Sequence, residues 1–555
     1  MASKRVLIVG GVAGGAACAA RLRRLDEKAE IFVFEQGPDV SFANCGLPYY
    51  LGGVIRQRQQ LLVATPERFR DWLNVEIRVH REVRKIRRAE RTIEVHNVES
   101  GVRSTERYDA LVLSPGASPI RPRWPGVDLP GIFTLRSLDD TDRIAGWLDQ
   151  KRPARAVVVG GGYIGLEMTE NLGRRGIEVV LLELGDQVMP PMDPEMVAPV
   201  HAELRRQGVE LHLGDGVVGF EPAAGDRLTV VTQKGQRFVA AVVILCVGVR
   251  PSVELAREAG LEIGAMGGIR VDEQMRTSDP AIWAAGDAVE VRDFVTGQWT
   301  LVPLAGPAAR QGRVAADAIC GRDSKFRGVQ GTAVVGIFDL TLAMTGASEK
   351  RLQAAGISFA KSYTHSSHHA SYYPGAEMMT IKLLFAPDTG RILGAQAVGK
   401  AGVEKRIDVL AMAIQKGAAV YDLEDAELCY APQYGSAKDP VNMAGFVAAN
   451  ALRGDVDVAH WEDWQDRLDR GAEPPLVLDV RTRAEAAGAV PGAVNIPLGE
   501  IRTRMSELPR DREIWVHCGV GQRSYYATRI LRQNGFRVRN LSGGMRTFQA
   551  VPKKK

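Results

Sequence analysis

RVLIVGGVAGGAACAARLRRL, residues 5–25, and RAVVVGGGYIGLEMTENLGRRG, residues 155–176, decide the fold. Each reads as a short apolar strand, a glycine turn and a helix, and each is followed by a second strand that ends in an acid: IFVFE at Glu35 and VVLLE at Glu183. That is the βαβ pattern of a dinucleotide-binding unit, present twice. A third strand–turn–helix, EIWVHCGVGQRSYYATRIL from Glu513, carries a cysteine in its turn instead.

The second turn is a complete GxGxxG. Gly160 allows the tight turn, Gly162 lets a pyrophosphate approach the backbone, and Gly165 seats the helix on the strand, whose N–H groups then face the phosphate charge. Glu183 accepts hydrogen bonds from ribose hydroxyls and repels a 2′-phosphate; with no arginine in LELGDQ, NADH is favoured and NADPH stays open. The first turn departs from the pattern. Val12 takes the middle glycine position, while Gly10, Gly14 and Gly15 shape the rest. TSDPAIWAAGDA places Asp287 behind an apolar strand, where its carboxylate can meet a ribitol hydroxyl. LVLSPGA, with Gly116, is a further strand–glycine turn that returns the chain between domains.

The chain has 555 residues, 45% apolar and 25% charged, which is enough for three or four domains of an ordinary globular protein. Its net charge of +5 gives no nucleic-acid signature. The 59 glycines exceed the usual share of about 7%, as many nucleotide turns require. No apolar run reaches about 18 residues, so no membrane span is expected. The first strand starts at Val6, which leaves no room for a signal peptide. The six cysteines form no CxxC pair, so neither a zinc site nor a disulfide scaffold is expected, and a reducing, cytoplasmic location is the simplest reading.

Over residues 4–450 the sequence resembles the two-dinucleotide-binding flavoprotein disulfide reductases. The resemblance implies FAD on the first unit (Gly10, Gly14, Glu35, Gly116, Asp287) and the nicotinamide on the second (Gly160, Gly162, Gly165, Glu183, with Glu167 near the ring). It also implies a third domain that forms a homodimer. The expected fold is α/β. It comprises an FAD-binding domain (1–150 and 271–330), an NAD(P)H-binding domain (151–270) and an α+β dimerisation domain (331–451) with strands such as MMTIKLLF. A polar linker (452–475) leads to an α/β rhodanese domain from 476, or from near 457, to 555.

Where most such enzymes carry CxxxxC, this chain reads SFANCGLPYYLGG with Cys45 alone. Cys246, in VVILCVG, reads as a buried, inert thiol. A helix starting at Pro48 is expected to offer N–H groups that lower the Cys45 thiol pKa. SFANCGLPY is similar to the coenzyme A disulfide reductase group. That resemblance implies a mixed disulfide of Cys45 with coenzyme A and a tyrosine pair contributed across the dimer. HASYYPGA and LCYAPQYGSAKDPVNMAGF match its motifs and single out Tyr372 and Tyr430 as proton donors to a leaving thiolate. Gln433 stands where the motif has a second proline. The resemblance points to Arg24 for the coenzyme A phosphates and to Ser41 and Asn44 near its thiol end. Arg21 shares the Arg24 face at i,i+3. Related peroxidases place a histidine at the position of Ala13, whose absence argues against peroxide as substrate.

LVLDVRTRAEAAGAVPGAVNIPL, EIWVHCGVGQRS and GFRVRNLSGGM resemble a rhodanese domain. The loop Cys518–Arg523 can curl so that N–H groups ring a thiolate or persulfide, with Arg523 closing the cradle. Asp479 and Arg481 match the structural charge pair, and Ala489 replaces a common histidine. Tethering this module raises its effective concentration into roughly the millimolar range if the linker permits. The function implied is NADH-dependent reduction of coenzyme A disulfide, or of coenzyme A and other low-molecular-weight persulfides or polysulfides. Two other readings stay open: an NADH oxidase or peroxidase that cycles Cys45 through sulfenic acid, and a sulfurtransferase with a redox-sensing flavin half.

Overall fold

The computed structural model describes residues 3–471, 474–486 and 490–552. The terminal Lys553–Lys555, expected as a solvated tail, and Ala489 lie outside these. The chain divides into two units: Met1–Val188 with Gly208–Val329, and Met189–Gln207 with Gln330–Lys555.

The first unit holds both dinucleotide folds. In one, a five-stranded parallel sheet runs in the order Ile282–Ala284, Ala110–Leu113, Arg5–Val9, Glu30–Phe34, Glu76–Arg78. Val6, Leu7 and Ile8 are fully buried, as a parallel sheet covered on both faces demands. The helix Ala13–Leu25 packs on Ala305–Ile319 so closely that a Cβ on Gly312 would strike the Gly14 carbonyl.

The other sheet has the order Glu210–Leu213, Glu178–Glu183, Arg155–Val159, Val242–Leu245, Ile132–Phe133, again parallel. Its first strand in sequence lies before residue 151. The helix Leu138–Lys151 also belongs to this fold, anchored where Trp147 Nε1 donates to the Ala241 carbonyl at 2.9 Å. The expected boundary at 150 is therefore too late. The return is also earlier than 271, because Val253, Ala256, Leu261 and Ile269 pack in the first fold's core. The outgoing and returning chains run side by side as an antiparallel pair, Ala117–Pro119 with Val249–Pro251. Such short polar crossings look like any other loop in the sequence.

In the second unit an antiparallel sheet, Ala333–Ile337, Leu340–Gly346, Ile392–Gly399, Met378–Phe385, Ala360–Ser367, backs onto the helix Val403–Lys416. A parallel sheet follows, in the order Val458–Ala459, Val538–Leu541, Ile514–His517, Leu476–Asp479, Val494–Asn495. Because Val458–Ala459 pairs with Val538–Leu541 and Trp461 is buried, the domain begins near 457, the earlier of the two expected limits, and residues 458–469 belong to it and not to a linker. The domain is also fastened to the antiparallel sheet. The Tyr363 amide donates to Ser542 Oγ at 3.2 Å, and His365 Nε2 meets Thr547 Oγ1 at 3.0 Å.

At the centre of this unit Lys382 is fully buried among carboxylates. Its ammonium lies 2.8 Å from Asp193 and also contacts Glu195 and Glu349. Burial opposes its charge, but Glu195, Asp193 and Glu349 overcome that and hold it well above the ordinary lysine range. Lys382→Met should strand three buried acids and destabilise the protein by about 3–5 kcal/mol, read from the urea unfolding midpoint. An unchanged midpoint would show that the acids are neutralised elsewhere.

Candidate active site

The two glycine turns are built alike. Gly10 and Gly160 both have positive φ, +90° and +104°, and a Cβ would strike the carbonyls of Ser114 and Cys246 respectively. A Cβ on Gly15 would strike the Gly10 carbonyl, just as one on Gly165 would strike that of Gly160. Gly15, not Gly14, is thus the counterpart of Gly165; Gly14 instead leaves room for the Ser114 hydroxyl and Ala285. Glu35 accepts from the amides of Gly11 (2.9 Å) and Gly37 (3.0 Å). Glu183 repeats the arrangement with Gly161 (2.6 Å) and Gly185 (2.7 Å). Gly162 opens on space with nothing within 4 Å, which fits the approach of a pyrophosphate. Both turns therefore suit the dinucleotides expected of them.

Gly116 has φ +73° and leaves room for the Arg136 guanidinium. Burial pushes the Asp287 carboxyl up, while Arg136 pulls it down. Arg136 is far from any motif, and no sequence signal marked it.

Cys45 hangs from the first turn. The Ser41 amide donates to the Gly11 carbonyl at 2.9 Å, and Ser41 itself adopts φ +46°. A 3₁₀ turn, Asn44–Gly46, presents Cys45, and the helix begins at Leu47, one residue before Pro48. All six cysteines are free thiols, and Cys45 and Cys429 are the two that are exposed. The expected fall in its pKa is not what the site produces. Partial burial pushes the thiol up, Glu167 and then Asp287 add to that, and only its own backbone amide pulls it down. A five-residue helix has too weak a dipole to outweigh two carboxyl groups. Burial pushes Cys246 up to about 12, as expected of an inert thiol.

The proposed coenzyme A residues separate. Arg21 is committed to Asp317 at 2.8 Å and is largely buried. Arg23 is buried and ties five backbone carbonyls, among them Leu73 and Asn74 at 2.8 Å each. Arg24 is exposed and forms no ion pair among the described residues. Asn44 Nδ2 donates to the Arg136 carbonyl at 3.3 Å. Beside Ser41 lies an apolar cavity of about 470 Å³, lined by Ala13, Ala17, Phe42, Arg68 and Trp72 among others. The Arg68 guanidinium stacks 4.0 Å over the exposed Trp72 ring. The i,i+4 spacing of Arg68 and Trp72 in PERFRDWL could have revealed this pair.

In the second unit the hydroxyls of Tyr372 and Tyr430 lie 2.8 Å apart, both rings exposed, and their hydrogen bond holds the Tyr372 phenol above its ordinary value. The Ala370 amide, bonded to the Gly435 carbonyl at 2.9 Å, joins the two loops that carry them.

Cys518 ends the strand Ile514–His517 with no exposure. The Gly521 amide donates to its sulfur at 3.2 Å, and Ser524 Oγ lies 3.5 Å away. Arg523 does not close the loop alone. It forms two 2.8 Å bonds to Glu485 and holds that carboxyl well below its usual range. Asp479 and Arg481 pair at 2.7 Å, as expected.

Paired dinucleotide turns around a surface thiol define an enzyme that moves electrons between a nicotinamide, a flavin and sulfur. Residues 4–312 match the family described as Pyridine nucleotide-disulphide oxidoreductase, and the chain belongs to that family. Residues 332–439 match its dimerisation domain and 461–551 a Rhodanese-like domain. The chain is 35% identical to the coenzyme A disulfide reductase of Staphylococcus haemolyticus, over 80% of this chain and 99% of that one. The crystal structure of reduced Bacillus anthracis CoADR-RHD superposes with TM-score 0.96 at 48% identity, covering 99% of this chain and 98% of that. The NAD-dependent persulfide reductase from A. fulgidus gives 0.91 at 36%, covering 98% and 100%. No helix among the described residues is long and apolar enough to cross a membrane.

The equivalence of the two turns is testable. Gly15→Ala should lose bound flavin, read from visible absorbance, whereas Gly165→Ala should keep the flavin and lose NADH binding, read by titration. Loss of flavin in both variants would mean that the turns do not act separately.

Proposed function

We propose that this chain uses NADH to reduce the sulfur–sulfur bonds of coenzyme A disulfide and of coenzyme A or other low-molecular-weight persulfides at Cys45, with Cys518 carrying sulfane sulfur. What supports this best is the solitude of Cys45. It is an exposed thiol on the flavin-domain turn, with no second cysteine beside it in sequence. Its redox partner must therefore arrive from outside.

A bound flavin, held by the first glycine turn, Glu35 and Asp287, supplies two-electron chemistry between nicotinamide and sulfur. The Cys45 thiolate attacks the coenzyme A sulfur of a persulfide. A Cys45–S–S–coenzyme A bond forms, the S–SH bond breaks, and hydrosulfide leaves. Two electrons then cleave the mixed disulfide, which returns the Cys45 thiolate and frees the coenzyme A thiol. Coenzyme A disulfide follows the same course, with a coenzyme A thiolate as the first leaving group. Tyr430 and Tyr372, supplied by the partner in a homodimer, donate a hydrogen bond to the leaving sulfur. The cavity beside Ser41 takes the coenzyme, with the Trp72 ring under its base and Arg24 offering charge to its phosphates. At Cys518 the Gly521 amide and the Ser524 hydroxyl stabilise a persulfide anion. The six unpaired cysteines fit a reducing, cytoplasmic compartment.

Cys45→Ser should abolish NADH-dependent sulfide release from coenzyme A persulfide. Cys518→Ser should leave that turnover and abolish sulfur transfer from thiosulfate. The reverse pattern would move the reductase site away from Cys45. Base stacking on an aromatic ring contributes about 1–3 kcal/mol, so Trp72→Ala should raise KM for coenzyme A persulfide roughly tenfold and leave that for glutathione persulfide alone. Equal changes for both substrates would place coenzyme A elsewhere.

A further inference from the structure

Tyr49 lies four residues after Cys45, on the helix Leu47–Leu51, which packs against the helix Tyr163–Arg174. Across that contact its hydroxyl donates to Glu167 Oε1 at 3.2 Å. Glu167 is half-buried and pairs with no cation among the described residues. Its neighbour Glu170 is different, being neutralised by Arg174 at 2.6 Å. Burial pushes the Glu167 carboxyl up to about 7, the Tyr49 hydrogen bond works against this, and Glu170 adds a little. The Glu167 charge acts in turn on Cys45, together with Asp287 from the flavin fold, whose own charge Arg136 offsets. An acid assigned to the nicotinamide side is therefore tied, through Tyr49, to the short helix that directly follows the redox cysteine's turn.

We propose that Glu167, held by Tyr49, is a positioning residue of the sulfur site: its carboxyl, neutral or charged, sets how readily Cys45 becomes a thiolate, and Tyr49 fixes that balance. A neutral Glu167 removes one negative charge from the surroundings of Cys45 and so favours the thiolate. A charged Glu167 holds the thiol protonated. Tyr49 stabilises the charged form through its hydrogen bond, so its loss acts on Cys45 in the same direction as neutralising Glu167. This rests on Cys45 being the redox thiol but not on the identity of the sulfur substrate.

The test is the pH profile of iodoacetamide alkylation of Cys45, followed by peptide mass in the flavin-loaded, full-length protein carrying Cys429→Ser. Glu167→Gln is isosteric and should move the midpoint down, with alkylation near about pH 8.5, where Glu167 carries its charge, faster on the order of tenfold, the equivalent of one pKa unit. Tyr49→Phe should move it the same way by less. In the Glu167→Gln background Tyr49→Phe should add nothing, because Tyr49 acts through the carboxylate. Glu167→Asp keeps the charge and should leave the midpoint high. A Glu167→Gln profile that superposes on the unsubstituted one overturns the proposal. So does an equal Tyr49→Phe shift in both backgrounds, or a Glu167→Asp shift as large as that of Glu167→Gln. Alkylation needs no sulfur substrate, so failure of persulfide turnover would leave this result standing on its own.

Discussion

The arrangement depends on how near two pieces of backbone can come at a glycine. At Gly15 and Gly165 the helix is seated so close to the preceding turn that a single methyl group would collide with a carbonyl oxygen. This contact orients the N-terminus of the helix and brings the turn amides to bear on Glu35 and Glu183. It also holds the Gly11 carbonyl where the Ser41 amide can bond to it, and the turn bearing Cys45 hangs from that bond. The position of the reactive sulfur is thus a consequence of nucleotide-fold packing rather than of any contact made by the cysteine itself.

The sulfurs of Cys518 and Cys45 have different neighbours. Cys518 is enclosed by donors: the Gly521 amide, the Ser524 hydroxyl and, behind them, the Arg523–Glu485 pair. Cys45 lies on a short turn near two carboxyl groups, and burial works in the same direction. An anion there is disfavoured until a neighbouring charge is removed. Under the function proposed above, one sulfur stores a sulfane atom and the other alternates between thiolate and disulfide, and the two tasks call for these different environments.

Most of the architecture was readable because it is written in backbone chemistry. The strand–glycine–helix units, Glu35, Glu183, the Asp287 turn, the Tyr372–Tyr430 pair and the Cys518 loop all leave local signatures. What escaped was long-range. Arg136 reaches the Asp287 site from 151 positions away, and Tyr49 meets Glu167 across 118. Arg21 and Arg24 look equivalent on a helix, and only the fold shows Asp317 claiming one of them. The error over the Cys45 pKa has the same origin: the local helix start is visible in sequence, whereas the carboxyl groups of Glu167 and Asp287 come from distant segments. Domain limits failed where a short strand, such as Ile132–Phe133, completes a sheet without a motif of its own.

The earlier of the two expected starts of the C-terminal domain, near 457, changes how the fusion is understood. A flexible linker raises effective concentration by letting a module search a volume, and the advantage depends on the tether being loose. Residues 458–469 form a strand and a helix of the rhodanese-like domain instead. The domain is pinned to the antiparallel sheet through Ser542 and Thr547, which flank the Gly543–Gly544 turn. A Cβ on Gly544 would strike the Cys518 carbonyl, and one on Gly543 would crowd Tyr363, so the docking surface and the sulfur loop share one turn. The Cys518 loop is therefore held at a fixed point on the antiparallel sheet and is not carried on a loose tether.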